Sequence, residues 1–388
     1  MKVLLPKGSI TKRKDGLWQA AITIGRDPAT GKLKRATFYA KTRQEAADKL
    51  TKALRDTVQG IFVAPHKLTL GEWLNTWLWE YKRPKLRSNT LDSYIEKVRT
   101  HLQPGLGHIP LKDLRPDQVQ HFYNERRQHG LSTRTIRYCH TLLHGALAQA
   151  EKNQLVARNI ATLVEPPRKE RKEMQTLTLD QVTTTLLPTL EQDRLGAAIF
   201  LAFGTGLRRG ELLGLRWRDV DLQTGKLHVR QTLYRIRNHD DSERKTQLVF
   251  QEPKTEKSRR TVPIPALCLP ALKRHKTRQA EEKLLIGAGY QDHGLVFCGI
   301  DGQPCDPAAF TRHFTRLLKR VGLPLIRLHD TRHTYATWLL EQGVALKVTQ
   351  TLLGHSSIAV TADVYSHVNP EIQRDAAERL NAALLGKL

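Results

Sequence analysis

The chain has 388 residues, and 63 Lys and Arg against 38 Asp and Glu leave a formal net charge of +25. That length exceeds one ordinary core and implies two or three domains. The charge argues against a metabolic enzyme with a neutral surface and for a polyanionic partner, nucleic acid before an anionic membrane. No apolar run approaches the ~18 residues that read as a bilayer span, and the segment from Met1 to Gly16 is basic and polar, without a signal-peptide core. Cys139, Cys268, Cys298 and Cys305 form no CxxC pair, so reduced thiols in a cytoplasm are expected rather than a zinc ribbon or a disulfide scaffold. Residues 1–65 carry net +9, residues 66–170 net +7 and residues 171–388 net +9. Every segment is basic, as a protein running along a duplex requires.

In the first segment, Trp18, Ala20, Ile22 and Ile24 alternate with polar or small residues, the period of a half-buried strand. Asp27 to Gly31 is a turn, and Ala36, Phe38 and Ala40 continue the alternation. Lys34, Arg35 and Tyr39 are then offered to a partner. From Thr42 the period becomes helical, with Ala46, Ala47, Leu50, Ala53, Leu54 and Val58 on one stripe and Gly60 as the stop. With a first strand near Ile10 to Lys12, this is a three-stranded sheet plus a helix, residues 1–62. A basic sheet face of this kind fits a major groove.

Residues 66–165 read as a helical bundle. Leu91, Tyr94, Ile95, Val98 and Leu102 have helical spacing behind a cap at Asn89 or Thr90. Pro116 opens a helix that Gly130 stops, and Ser132 caps a long one through Ala150. Lys82, Arg83, Lys85, Arg87, Arg134 and Arg137, with Arg126 and Arg127, decorate these helices and joints as DNA contacts. Residues 166–178, opening Pro166-Pro167-Arg168-Lys169, form a linker, since paired prolines and dense charge build neither helix nor core.

The chemistry lies in residues 179–388. Arg194 to Phe203 reads as an apolar helix ending at Gly204-Thr205-Gly206, and Leu207 to Leu215 as a second helix on which Glu211 holds Arg208 at i,i+3. Strands near Lys226–Arg235 and Gln247–Glu252 lead to Pro253-Lys254-Thr255 and to Arg260–Pro265, a hairpin with a lysine close to its tip. His329 and Arg332 stand i,i+3 at a helix N-terminus, where an anion is favoured. Leu352-Leu353-Gly354-His355 ends a short helix, and Val364-Tyr365-Ser366-His367 follows. Tyr335 belongs to an apolar face with Trp338 and Leu339, and Tyr365 is the one tyrosine that follows it.

The motifs T-G-L-R-R-G-E, P-K-T, H-D-T-R-H, L-G-H and Y-S-H, in this order, resemble the tyrosine recombinase family, above all its phage and transposon integrases. The resemblance implies an α+β multidomain fold: an arm-binding domain of three strands and a helix, a helical core-binding domain, and a mainly helical catalytic domain with a small antiparallel sheet. It makes Tyr365 the nucleophile, places Arg208 and Arg332 on the non-bridging oxygens of the scissile phosphate, has Lys254 protonate the leaving 5′ oxygen, His329 assist proton transfer and His355 hydrogen-bond the phosphate, with Glu211 in support. The implied activity is site-specific recombination through a 3′-phosphotyrosyl bond and a Holliday junction, by a homotetramer on core-type and arm-type sites of double-stranded DNA. An excisionase and a DNA-bending host protein are implied partners, and the location is the cytoplasm, on the nucleoid. Type IB topoisomerase activity and a non-catalytic DNA-binding relic are the alternatives.

Physical chemistry supports the same roles. Attack on a phosphodiester loads charge onto its equatorial oxygens, where preorganised guanidiniums match the geometry. A phenol with a pKa of about 10 needs neighbouring cations to become a nucleophile near neutrality. Such a cation set takes the place of divalent metal, so no metal and no cofactor are expected. His329 and His333 have i,i+4 spacing but no third zinc ligand, and the same holds for His140 and His144 beside Cys139. Arg209 reads as a backbone-phosphate contact or surface charge. Lys257, Arg259 and Arg260 compete with Lys254 for its role, and the P-K-T context favours Lys254. Glu371 to Leu385 forms an amphipathic helix that packs on its own domain or, as the resemblance implies, docks on a neighbouring protomer.

Overall fold

The computed structural model describes residues 8–26, 32–58, 67–170, 174–238, 246–253 and 259–354, with residues 378, 381, 384 and 385. The chain divides into two compact units, Met1–Arg171 and Lys172–Leu388.

The first unit holds two separate cores. Strands β1 (Gly8–Lys12), β2 (Trp18–Arg26) and β3 (Leu33–Ala40) form an antiparallel sheet in that order. Helix α1 (Arg43–Val58) covers it, with Ala46, Leu50 and Ala53 buried against Ala20, Ile22, Ala36 and Ala40. Alanines at the contact let helix and sheet approach closely. The expected helical stripe is one turn too long, because Val58 is 69% exposed at the helix end. The turn at Asp27 to Gly31, the stop at Gly60 and the side chain of Ile24 lie outside the described residues.

The second core is helical. Helix α2 (Leu70–Thr76) starts in a reciprocal cap: Thr69 Oγ1 accepts from the Glu72 N–H at 3.2 Å, and Glu72 Oε2 accepts from the Thr69 N–H at 2.8 Å. It continues as a π-helical segment over Trp77–Lys82. Trp73 and Trp77 are buried, and Trp73 Nε1 donates to the Ala146 carbonyl at 2.9 Å. Helix α3 (Ser88–Lys97) begins two to three residues earlier than expected. Arg87 is its extended N-cap, and Asn89 and Thr90 already lie inside the helix. Helices α4 (Gln103–Leu106), α5 (Pro116–Gln128) and α6 (Thr133–Lys152) complete the bundle, with Pro116 opening α5 and the Ser132 hydroxyl capping α6.

The second unit packs around α8 (Gly196–Thr205), most of whose residues are buried. Helix α7 (Leu187–Gln192) precedes it. Helix α8 starts two residues later than its apolar pattern because Arg194 is drawn out of line: its guanidinium bonds both Glu282 carboxylate oxygens at 2.6 Å and the Cys298 carbonyl at 2.7 Å. Helix α9 (Arg209–Leu213) is shorter than expected, and strands β4 (Val220–Asp221), β5 (Lys226–Val229), β6 (Thr232–Arg237), β7 (Thr246–Gln251) and β8 (Arg260–Pro263) follow. The unit closes with α10 (Cys268–Ile286), α11 (Pro307–Arg320), α12 (Asp330–Glu341) and α13 (Leu346–Leu353).

The strand expectations need two corrections. The predicted strand at Lys226–Arg235 is two strands in different sheets, and β7 does not pair with β8. The sheet order is β4-β5-β8, while among the described residues β6 pairs with β7 alone. The break falls at Arg230-Gln231, where Gln231 Nε2 donates to the Gly214 carbonyl at 2.7 Å and Arg230 pairs with buried Asp219 at 3.1 Å. These contacts turn the chain so that β6 lies on α9. A Cβ at Gly210 would stand 2.5 Å from Thr232 Cγ2, so glycine is required for that approach. The predicted hairpin between β7 and β8 is therefore not formed, and Lys254 itself lies outside the described residues.

Candidate functional site

The site is assembled from the ends of α8, α9, α12 and α13 and the start of β8. Gly206 ends α8 in the left-handed conformation at φ 60°. A Cβ there would meet Tyr335 Cδ1 at 2.6 Å and Leu353 Cδ2 at 2.8 Å. This close approach aims the Gly206 carbonyl at Arg332 and lets the chain turn sharply into Arg208. Gly206→Ala is expected to lower stability by ~2 kcal/mol or more, through both backbone strain and crowding. A shift of the second unit's urea transition by under ~0.5 kcal/mol would contradict this.

Arg208 is the extended N-cap of α9 rather than a residue within the helix. Its N–H donates to Glu211 Oε2 at 2.9 Å and its Nη1 to Glu211 Oε1 at 2.7 Å. Glu211 is 3% exposed. A second arginine approaches the same carboxylate: Arg260 Nη1 donates to Oε1 at 3.1 Å and Nη2 to Oε2 at 2.9 Å. Burial opposes the charge on Glu211. The hydrogen bonds and charge of Arg260, and then Arg208, outweigh that and bring its pKa down to about 2.

Arg332 is almost wholly buried. Its Nη1 donates to the Gly206 carbonyl at 2.8 Å and its Nη2 to the Leu353 carbonyl. Burial, and then the charge of Arg208, push its pKa well down. A guanidinium nevertheless stays charged in a protein, so this desolvation translates into attraction for an incoming anion. One carboxylate thus faces three guanidiniums, a local excess of positive charge suited to phosphate.

His329 is the N-cap of α12, with its ring 5.2 Å from that of His333. Partial desolvation, then His333 and Arg332, push it down to about 4, although the residue keeps an exposed edge. Its imidazole is therefore neutral at pH 7 and able to accept a proton. The turn beneath it is pinned by Arg327, whose Nη2 donates to buried Asp330 Oδ1 at 2.7 Å and whose N–H donates to Oδ2 at 2.8 Å. Tyr335 is buried in a small apolar cluster with Ala336, Leu340 and Leu353.

The last described turn, Leu352 to Gly354, receives one guanidinium on each carbonyl: Arg260 Nε on Leu352 at 2.8 Å, Arg332 on Leu353, and Arg208 Nη2 on Gly354 at 3.3 Å. These carbonyls at the C-terminus of α13 have no partner within the helix and carry the negative end of its dipole. Arg208, Glu211, His329 and Arg332 are thereby brought together. Lys254, His355 and Tyr365 lie outside the described residues, as do Lys257, His367 and most of the tail helix, of which Leu384 and Leu385 are exposed.

Arg260 is the residue that sequence reasoning missed, appearing only as a competitor for the Lys254 role. Its pairing with Glu211 spans 49 positions, beyond any local periodicity. Arg209 donates to Thr311 Oγ1 at 2.9 Å. Of the expected DNA contacts, Arg35 and Tyr39 are exposed on the sheet, while Lys34 is described only in its backbone. Lys82 lies over the Trp77 ring at 4.9 Å and Arg83 over Trp79 at 5.0 Å. Lys85, Arg87, Arg134 and Arg137 are exposed, with Arg137 Nη1 also donating to the Pro167 carbonyl at 2.9 Å.

His140 bonds the Tyr123 hydroxyl at 3.0 Å through Nδ1, a packed core contact. Among the described residues no three His, Cys, Asp or Glu side chains gather to hold a metal ion, and no helix is long and apolar enough to cross a membrane.

Comparison with known proteins places this geometry in context. The sequence pattern of the phage integrase family matches residues 175–371, and that of the phage integrase N-terminal SAM-like domain matches residues 69–126. A tyrosine recombinase XerC-like protein of Caldanaerobacter subterraneus subsp. tengcongensis is 36% identical over 386 residues, covering 97% of this chain and 98% of that protein. An integrase of Streptomyces ambofaciens is 32% identical, covering 92% of each chain. Among solved structures, the Tn1549 transposon integrase in complex with transposon right end DNA superposes with a TM-score of 0.68 at 24% identity, over 81% of this chain and 100% of that one. At that identity the likeness concerns the fold.

Proposed function

The chain belongs to the phage integrase family and is a site-specific tyrosine recombinase, and we propose that the cluster around Glu211 is its scissile-phosphate site. The observation that carries this reading is the convergence of Arg208, at the start of α9, and Arg332, in α12, on the adjacent Gly354 and Leu353 carbonyls beside buried Glu211.

In the proposed reaction Arg208 and Arg332 hold the two non-bridging oxygens and stabilise the charge that develops there. The Tyr365 oxygen forms a bond to phosphorus as the P–O5′ bond breaks. The phenolic proton passes toward His329, which is neutral at pH 7, and Lys254 delivers a proton to the 5′ oxygen. His355 donates to the phosphate. The 5′ hydroxyl of a partner strand then attacks the phosphotyrosyl ester and releases Tyr365, so no external energy source is needed. Two pairwise exchanges pass through a Holliday junction, which requires four protomers. A lambda integrase tetramer bound to a Holliday junction has the same fold, with a TM-score of 0.56 at 20% identity, covering 94% of this chain and 96% of that one.

We assign residues 1–62 to arm-type sites, through Lys34, Arg35 and Tyr39, and residues 66–165 to core sites, through Lys82, Arg83, Lys85, Arg87, Arg134 and Arg137. The linker, assigned to 166–178, joins them to the catalytic domain 179–388, although Leu177 near its end is already buried in the core of the second unit and its carbonyl accepts from Trp338 Nε1 at 3.1 Å. An excisionase, a DNA-bending host protein and a place on the nucleoid in the cytoplasm complete the proposal.

The test is covalent trapping. Wild type and Tyr365→Phe are incubated in EDTA with a nicked suicide substrate from the element's own attachment site, then run on denaturing gels. A protein–DNA band with wild type alone is expected. Tight binding without a band overturns the catalytic reading in favour of a DNA-binding relic, and relaxation of non-specific supercoiled plasmid without recombinants favours a topoisomerase.

A further inference from the structure

Glu211 is the one carboxylate that Arg208 and Arg260 share, and the division of its oxygens is uneven. Arg260, 6% exposed in its side chain, takes both of them with Nη1 and Nη2 and uses Nε for the Leu352 carbonyl. Among the described residues, Arg208 reaches Glu211 through one guanidinium nitrogen, Nη1, and its Nη2 makes a 3.3 Å contact to the Gly354 carbonyl. We propose that Arg260 is a positioning residue for the phosphate clamp: by occupying the second edge of Glu211 it prevents that carboxylate from drawing in the whole Arg208 fork, and by tying Leu352 to β8 it fixes the α13 end on which the other two guanidiniums rest. This inference rests on the assignment of Arg208 to the scissile phosphate.

The geometry is specific to arginine. Two parallel N–H donors match a carboxylate while the third nitrogen points elsewhere, which an ammonium cannot reproduce. Without Arg260, Glu211 has Arg208 as its remaining guanidinium partner in this set. The carboxylate would close on that fork bidentately and turn it from the substrate. Arg260 therefore acts on the rate through the placement of Arg208.

Single-turnover trapping on the suicide substrate tests this with full-length Arg260→Gln, Arg260→Lys, Arg208→Ala and the Arg208→Ala/Arg260→Gln double variant. Arg260→Gln is expected to cut about 30- to 100-fold more slowly, below the ~10²–10³ lost with a direct donor, while its DNA affinity stays within about threefold. Arg260→Lys is expected to recover less than tenfold of that loss. The double variant is expected to cut within about threefold of Arg208→Ala, because the two residues act along one line. A loss from Arg260→Gln that multiplies fully in the Arg208→Ala background overturns the proposal, as does wild-type cutting by Arg260→Gln or full recovery in Arg260→Lys. If Arg260→Gln and Arg260→Lys are both largely unfolded at the assay temperature, Arg260 holds the fold rather than the clamp and the proposal also falls. Absence of a covalent product from wild type would instead sink the phosphate-site reading itself.

Discussion

Arg208→Ala is expected to cut DNA ~10²–10³ times more slowly than wild type while binding it with nearly unchanged affinity, the loss typical of removing one preorganised donor to a developing oxyanion. The split follows from where Arg208 stands. Its side chain is 36% exposed and rests at the rim of the site, so its removal costs little packing. One guanidinium among many cations also contributes little to duplex affinity, which counterion release spreads over the whole basic surface. Its contribution rises only when charge builds on the non-bridging oxygens. Single-turnover trapping gives the rate and gel shift at fixed salt gives the affinity. A parallel fall in both would mean that Arg208 serves general DNA binding, and an unchanged rate would remove it from the clamp. Arg332→Ala should differ, because its buried guanidinium also bonds the Gly206 and Leu353 carbonyls, and their loss adds a stability defect to the rate defect.

Glu211→Gln is expected to destabilise the second unit by ~3–5 kcal/mol at pH 7, the usual cost of leaving buried charges without their partner. Glutamine keeps the shape but not the charge, so Arg260 and Arg332 lose the anion that offsets their desolvation. The pH dependence has a defined sign. The folded pKa of Glu211 is lowered from 4.5 to about 2, so its contribution is complete above 4.5 and is lost as pH falls through about 2. A shift of that size corresponds to ~3 kcal/mol. Urea unfolding of wild type and Glu211→Gln, followed for the second unit, should show a gap at pH 7 that begins to narrow below about pH 4.5 and has largely closed near pH 2. A gap that stays constant with pH would show that the effect is steric. A gap under ~1 kcal/mol would mean that the cluster holds geometry without holding the fold.

Both predictions concern residues that local sequence pattern brings out readily. Arg208 and Glu211 are three positions apart, and His329 and Arg332 likewise, so helical geometry nearly dictates that each pair shares a region of space. Charge, alternation in the first strands, Pro116, Ser132 and the apolar run of α8 were legible for the same reason: each is a property of neighbours in the chain. Helix α2 escaped the periodic reading although Thr69, Glu72, Trp73 and Trp77 mark it, because its tryptophans are buried on a short segment that passes into a π-helical turn. The break between β5 and β6 escaped it because Arg230 and Gln231 are ordinary strand residues locally, and their partners Asp219 and Gly214 are more than ten positions away.

Composition and motif order by themselves pointed to a basic, multidomain recombinase and singled out the arginines, histidines and tyrosine to which the proposed reaction gives its roles. Tertiary structure alone decided how those arginines are held. The pairing of Arg260 with Glu211, the left-handed Gly206 pressed against Tyr335, and the seating of three guanidiniums on Leu352, Leu353 and Gly354 join segments as far as 146 residues apart. No local periodicity encodes such contacts. They arise because packing α8, α12, α13 and β8 together excludes water, and a buried charge must then find its partners across the fold.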